Sequence, residues 1–124
     1  MPITYVAYPN AIVVSLRDGI QPATVSETLS VLLNGTDRSL RVLFDIRHVT
    51  RMRAEYFGTL VHLNTQLRAA GFPPPIGLWF VDRPNIEFVL VGARLHTIYE
   101  FVRSTEQAAR FVRVCPPSLA RDPR

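Results

Sequence analysis

The chain has 124 residues, 48% hydrophobic and 19% charged, a composition that suits one folded domain with its own core and excludes a disordered chain. A domain of this length buries about two-thirds of its unfolded surface and needs no disulfide or metal to be stable. The formal charge is +4 and every basic residue is arginine; a nucleic-acid surface would want more basic residues and interleaved exposed aromatics.

Ile3–Tyr8 and Ala11–Leu16 read as two strands around a Pro9-Asn10 turn, a hairpin signal. Ile12-Val13-Val14 is continuously apolar, as in a strand covered on both faces. Arg17-Asp18-Gly19 breaks it. Pro22 suits a first helical position, with Thr24 and Glu27 offering a competing capping box. The helix runs to about Leu33 with Val25, Leu29 and Leu32 on one face, and Asn34-Gly35 stops it.

Leu40–Ile46 is the next strand, closed by Asp45 and turned by His48-Val49-Thr50. From Ala54 to Ala70 a helical repeat places Phe57, Leu60, Val61, Asn64 and Leu67 on one stripe, with Glu55, Thr59, His62 and Gln66 on the wet side. Gly71 ends this helix, and Pro73-Pro74-Pro75 forces an extended approach to a strand at Ile76–Val81. Asp82-Arg83-Pro84 starts a short helix carrying Ile86, Val89 and Leu90, stopped at Gly92. Leu95–Phe101 reads as a last strand, and Ser104 with Gln107 caps a final helix to about Val112. Residues 115–124, rich in proline, read as a flexible tail after a domain at 1–114.

The order β-β-α-β-α-β-α-β-α predicts an α/β fold: a mixed, mostly parallel sheet of four or five strands flanked by about four helices. Cys115 cannot pair within the chain, which fits a reducing compartment. Met1–Tyr8 has no secretory pattern, and Ile76–Val81 and Phe88–Val91 are far shorter than the ~20 apolar residues that span a bilayer. The expectation is a cytoplasmic protein without membrane insertion.

The strand, charged turn and amphipathic helix of Leu40–Gly71, followed by Ile86-Glu87-Phe88-Val89-Leu90, Leu95, Ile98-Tyr99-Glu100-Phe101 and Ser104-Thr105-Glu106-Gln107-Ala108, resemble the STAS domain family, the anti-sigma-factor antagonists and their relatives. The likeness runs from about Ile3 to Val112. It implies a non-enzymatic bacterial signalling module that regulates transcription by partner switching. The family typically reads Asp-Ser-Ser-Gly at the start of the helix, where a kinase phosphorylates a serine. Here the four positions are Arg53, Ala54, Glu55 and Tyr56, so the phosphorylation-equivalent positions Ala54 and Glu55 hold no hydroxyl. Constitutive or scaffold binding is implied in place of switching. Glu55 then either imitates the modified state or is a first-turn acid favoured by the helix dipole.

The implied docking face holds Arg51, Arg53, Glu55, Tyr56, Thr59 and His62. Tyr56 is either a core-edge side chain or an aromatic anchor for a partner. The partner class would be an anti-sigma factor, a serine kinase or another regulatory component. Homodimerisation is left open, and no nucleic acid, cofactor or metal is expected. Two alternatives stand beside this reading. One is an accessory subunit of a membrane transporter complex, its basic turn (Arg41, Arg47, Arg51 and Arg53 against Asp45 and Glu55) meeting an acidic partner surface or the lipid headgroups. The other is a small-ligand or nucleotide-binding domain using the strand ends near Asp45 and Asp82. An acid at such a strand end can bind a metal or a nucleotide, but more often caps a loop or pairs with a neighbour, here Arg47. The three histidines show no ligand spacing, and no nucleophile elbow or glycine-rich phosphate loop is present.

Overall fold

In the computed structural model of the chain, residues 3–18, 22–35, 39–50, 53–81 and 86–113 are described. The hairpin forms as the sequence suggests: β1 (Ile3–Ala7) and β2 (Ala11–Leu16) are antiparallel, with Ile3 opposite Leu16 and Ala7 opposite Ile12. The Tyr8 N–H donates to the Ala11 carbonyl at 2.7 Å and closes the turn. β3 (Arg41–Asp45), β4 (Ile76–Trp79) and β5 (Tyr99–Val102) then add in parallel, giving one sheet in the order β1-β2-β3-β4-β5. This is the mixed, mostly parallel α/β architecture expected from the element order.

Because each parallel strand is added on the same side of the last, right-handed crossovers must put all three connecting helices on one face. Those helices are α1 (Pro22–Gly35), α2 (Ala54–Ala69) and α3 (Ile86–Gly92). The larger core sits beneath them: Ile12, Val14, Val42, Phe44, Ile76 and Leu78 from the sheet meet Leu32, Leu60, Leu63, Leu67 and Leu90. The opposite face is covered by α4 (Thr105–Val112), whose Ala108, Ala109, Phe111 and Val112 pack on Ala11, Val13, Leu43, Trp79 and Val102. Two covered faces explain why β2 and β3 are apolar runs and not alternating ones.

The Ser104 hydroxyl caps α4 by accepting from the Gln107 N–H at 3.1 Å, while the Gln107 side-chain Oε1 accepts from the Arg103 N–H at 2.7 Å. Arg41 pins the far end of α4: it donates to the Phe111 carbonyl at 2.9 Å and stacks 4.0 Å from that ring's centre. Gly77 sits beneath the same ring. A Cβ there would lie 2.6 Å from Leu43 Cδ1 and 2.9 Å from Phe111 Cζ.

Three expectations are corrected. α2 is rotated from the predicted stripe: Tyr56, Leu60, Leu63, Asn64 and Leu67 are buried, Phe57 is half-buried and Val61 is 42% exposed. Turning Tyr56 and Leu63 inward removes more apolar surface from water than turning in Val61. The final strand is shorter than Leu95–Phe101. Leu95–Thr97 form a 3-10 turn that follows Arg94 in the left-handed region at φ 62°, and Thr97 donates its hydroxyl to the Arg94 carbonyl at 2.6 Å. β4 ends at Trp79, leaving Val81 exposed. The expected tail, Cys115, Asp82 and the start of the short helix lie outside the described residues. Among those described, no helix is long and apolar enough to cross a membrane.

Candidate docking surface at the start of α2

The carboxyl ends of β2 and β3 and the loops after them build this region. Ser15 and Asp45 are opposite each other across β2 and β3, and Asp45 is opposite Trp79 across β3 and β4, so the three side chains share a row on the α4 face. Asp45 is buried, 1% exposed. Its Oδ1 accepts from the Arg47 backbone N–H at 3.0 Å and from Arg47 Nε at 2.9 Å, and its Oδ2 accepts from Arg47 Nη2 at 2.9 Å. The Ser15 hydroxyl donates to Oδ2 at 3.4 Å. The Arg47 guanidinium lies over the Trp79 ring at 3.6 Å. This carboxylate therefore closes its own loop, which is the loop-pairing role of the two open for it, and both oxygens are occupied from within the chain.

The loop from β3 to α2 is tethered to the loop after β2. Asp18 accepts from the Thr50 hydroxyl at 2.5 Å through Oδ2 and from the Thr50 N–H at 3.0 Å through Oδ1. Val49 is buried below, its N–H donating to the Ile46 carbonyl. Arg53 then takes the extended N-cap conformation (φ −86°, ψ 164°) with no side-chain hydrogen bond to the helix end. Arg53, Ala54 and Glu55 are all exposed, forming a solvent-facing first turn.

Tyr56 does not join them: of the two roles open for it, its burial is that of the core-edge side chain and not of an exposed anchor. It is buried at 4% exposure, and its hydroxyl donates to the Arg17 carbonyl at 3.4 Å. Burial, with the negative charge of Asp18 as a second cause, holds its phenol far above the ordinary range. Below it, Tyr99 donates to the Leu60 carbonyl at 2.5 Å. Burial raises the Tyr99 phenol too, the charge of Tyr56 adds to the rise, and a hydrogen bond with Asn64 opposes it. Asn64 donates to the Ile98 carbonyl at 2.8 Å, tying α2 to the turn before β5. A large aromatic with a polar tip at a helix end has an apolar body to bury and a carbonyl within reach.

Of the remaining docking candidates, His62 is exposed and Thr59 is half-buried, its hydroxyl donating to the Glu55 carbonyl at 2.9 Å. Arg51 lies outside the described residues. The structure thus brings Arg53, Glu55 and His62 to the surface of α2 and withdraws Tyr56 beneath it. Sequence reasoning missed Asp18, Ser15 and Trp79. Asp18 looked like a strand breaker, and the one signal for Trp79 was its place level with Asp45 at the end of an apolar strand. Among the described residues no three His, Cys, Asp or Glu side chains converge as metal ligands. No protein-family model matches the chain, and neither does any curated protein.

Proposed function

We propose that the chain is a non-enzymatic protein-interaction module of the anti-sigma-factor-antagonist type, working in a bacterial cytoplasm as a constitutive or scaffold component of a partner-switching system. The observation that carries the reading is the exposed first turn of α2, where Arg53, Ala54 and Glu55 face solvent beyond the carboxyl ends of a mostly parallel sheet. In the resembled family that turn carries the switching serine; here the matching side chain is a methyl group. Helix N-termini tolerate anions through unpaired N–H groups and a partial positive charge, and Glu55 supplies one fixed negative charge there. Arg53 and His62 extend the polar surface on which an anti-sigma factor or kinase-like partner would dock.

The test is capture of partners from the source cytoplasm with wild-type protein and with Arg53→Glu combined with His62→Ala. Both side chains are exposed, so the variant keeps its fold. Loss of one defined partner that wild type retains supports the reading. Equal recovery by both proteins moves the interface away from α2 and ends it.

A further inference from the structure

Charge is sorted between the two ends of the sheet. At the carboxyl ends of the strands it pairs off, Arg47 with Asp45 and Arg103 with Glu87. The amino ends of β3, β4 and β5 are where α2, α3 and α4 finish. Arg41 opens β3, Arg68 and Arg110 lie in the last turns of α2 and α4, Arg94 precedes the 3-10 turn before β5, and Arg113 closes α4. Among the described residues, Glu100 is the one acid set against these arginines.

Two of them line one cleft. Its volume is about 440 Å³, and its walls are Pro9 and Asn10 of the hairpin turn, Ser39 and Arg41, the Pro73–Pro75 run before β4, and Arg113. None of its described lining residues is Asp or Glu. Glu100 belongs to a second cleft that shares only Arg41 with this one. Arg41 is held in place, one face on the Phe111 ring and Nη1 donating to the Phe111 carbonyl, which leaves Nε and Nη2 for a ligand.

Arg113 is the residue that the fold alone does not explain. The helix dipole favours a cation near a last turn, and Arg68 and Arg110 need no other reason. Arg113 instead sits at φ 64°, in the left-handed region where glycine is the usual residue after a helix. Its side chain makes no hydrogen bond or ion pair with another described residue.

We infer that this cleft binds a small phosphate monoester. Two guanidiniums match the charge of about −1.5 to −2 on such a group, and their N–H forks suit its oxygens. Asn10 adds a side-chain amide to the same wall. The proline walls offer apolar surface without N–H groups to the organic part, and the volume falls in the range of small-molecule sites, about 300–1,000 Å³. A cleft lined by one sign of charge also gathers anions before contact. The site lies at the opposite end of the sheet from the first turn of α2, so it stands or falls apart from the docking proposal.

Titration of the full chain with phenyl phosphate at constant ionic strength, followed by amide chemical shifts, tests it. The expected result is a dissociation constant below about 1 mM, with the largest shifts at Asn10, Arg41 and Arg113. Inorganic phosphate, which lacks the ring, is expected to bind more weakly. Arg113→Gln should weaken phenyl phosphate at least about tenfold with unchanged circular dichroism, and Arg68→Gln, outside the cleft, should leave binding as it is. Arg113→Gly separates the ligand from the fold. It should melt higher, because glycine takes the left-handed backbone without strain, yet bind as weakly as Arg113→Gln. Absence of saturable binding overturns the inference, as does an Arg113→Gly protein that binds like wild type. Inorganic phosphate binding as tightly as phenyl phosphate would remove the organic part and overturn the monoester. Shifts confined to the Asp45 end would overturn it too. So would co-sedimentation with phosphatidic acid vesicles without any response to phenyl phosphate, which would assign these arginines to a lipid surface.

Discussion

Arg47 reaches back two residues to grip Asp45 through both Nε and Nη2, each 2.9 Å from a different carboxylate oxygen, while its guanidinium plane lies on Trp79. The pair is asymmetric in exposure: the Asp45 side chain is 1% accessible and that of Arg47 is 16%. The carboxylate depends on its partner more than the arginine does.

That asymmetry sets the first prediction. Arg47→Met strands a buried carboxylate with only Ser15 and one backbone N–H, and should cost about 3–5 kcal/mol. Asp45→Asn should cost less, because Arg47 keeps some water and its ring contact. Arg47→Lys keeps the charge but loses the two-pronged geometry and the flat stack, so it should fall between wild type and Arg47→Met. Urea unfolding of each single variant and of Asp45→Asn combined with Arg47→Met checks this. The double variant should be less destabilised than the two single losses added together. Simple additivity would mean that the two side chains are not coupled.

A second prediction concerns alkaline pH. The Tyr56 and Tyr99 phenols are both raised from an ordinary value of about 10, chiefly by burial. Above pH ~10 the unfolded chain gives up these protons while the folded chain retains them, so unfolding is favoured as pH rises. The stability each buried phenol contributes is whole below pH ~10 and falls by about 1.4 kcal/mol per pH unit above it. Denaturation at pH 8 and pH 11 should show the loss, and Tyr56→Phe or Tyr99→Phe should each make the alkaline arm shallower. An arm unchanged in both variants would place its cause elsewhere. Tyr56→Ala should cost about 3–5 kcal/mol at neutral pH as a core truncation, so it is a stability variant and not a probe of docking.

Gly77 gives the third prediction. The Leu43 methyl and the Phe111 ring occupy the space a Cβ would need, and both side chains are buried. Gly77→Ala should therefore cost about 1–3 kcal/mol by overpacking, with Gly77→Val worse despite the better strand propensity of valine. Phe111→Leu should recover part of the Gly77→Ala loss, read as a shift in melting temperature. Independent effects from the two substitutions would show that α4 does not rest on β4 at this point.

Legibility in the sequence follows from the range of the forces involved. The hairpin at Pro9-Asn10, the doubly covered runs in β2 and β3 and the Ser104 cap are local, carried by neighbours a few residues apart, and each could be read directly. The face that α2 turns inward was not local. Val61 and Leu63 both fit helical stripes, and only the sheet below decides between them. The same limit left two roles open for Tyr56, whose hydroxyl finds its partner on a carbonyl 39 residues earlier in the chain. The tie from Asp18 to Thr50 spans 32 residues and leaves no pattern in either segment. Arg94 and Thr97 turned an apparent strand into a 3-10 turn through a left-handed residue that the apolar periodicity of Leu95–Phe101 does not register.

The last prediction joins stability to the proposed docking role. Arg53 occupies the N-cap of α2 and makes no capping hydrogen bond, and its positive charge sits at the positive end of the helix dipole. Serine or aspartate at an N-cap normally adds about 0.5–2 kcal/mol over a residue that cannot cap, and a negative charge there adds about 0.3–1 kcal/mol more. Arg53→Asp should therefore raise the melting temperature. A helix start that carries an unfavourable cap on its exposed surface makes sense if the arginine serves something other than the fold. The same substitution should then weaken association with the partner, mainly through a slower on-rate and a smaller dependence on salt. Ala54→Asp isolates the dipole effect: it should stabilise slightly while placing a charge where the resembled family places its phosphate. If Arg53→Asp is more stable and binds as well as wild type, the arginine has no role at the surface and the docking face lies away from the first turn of α2.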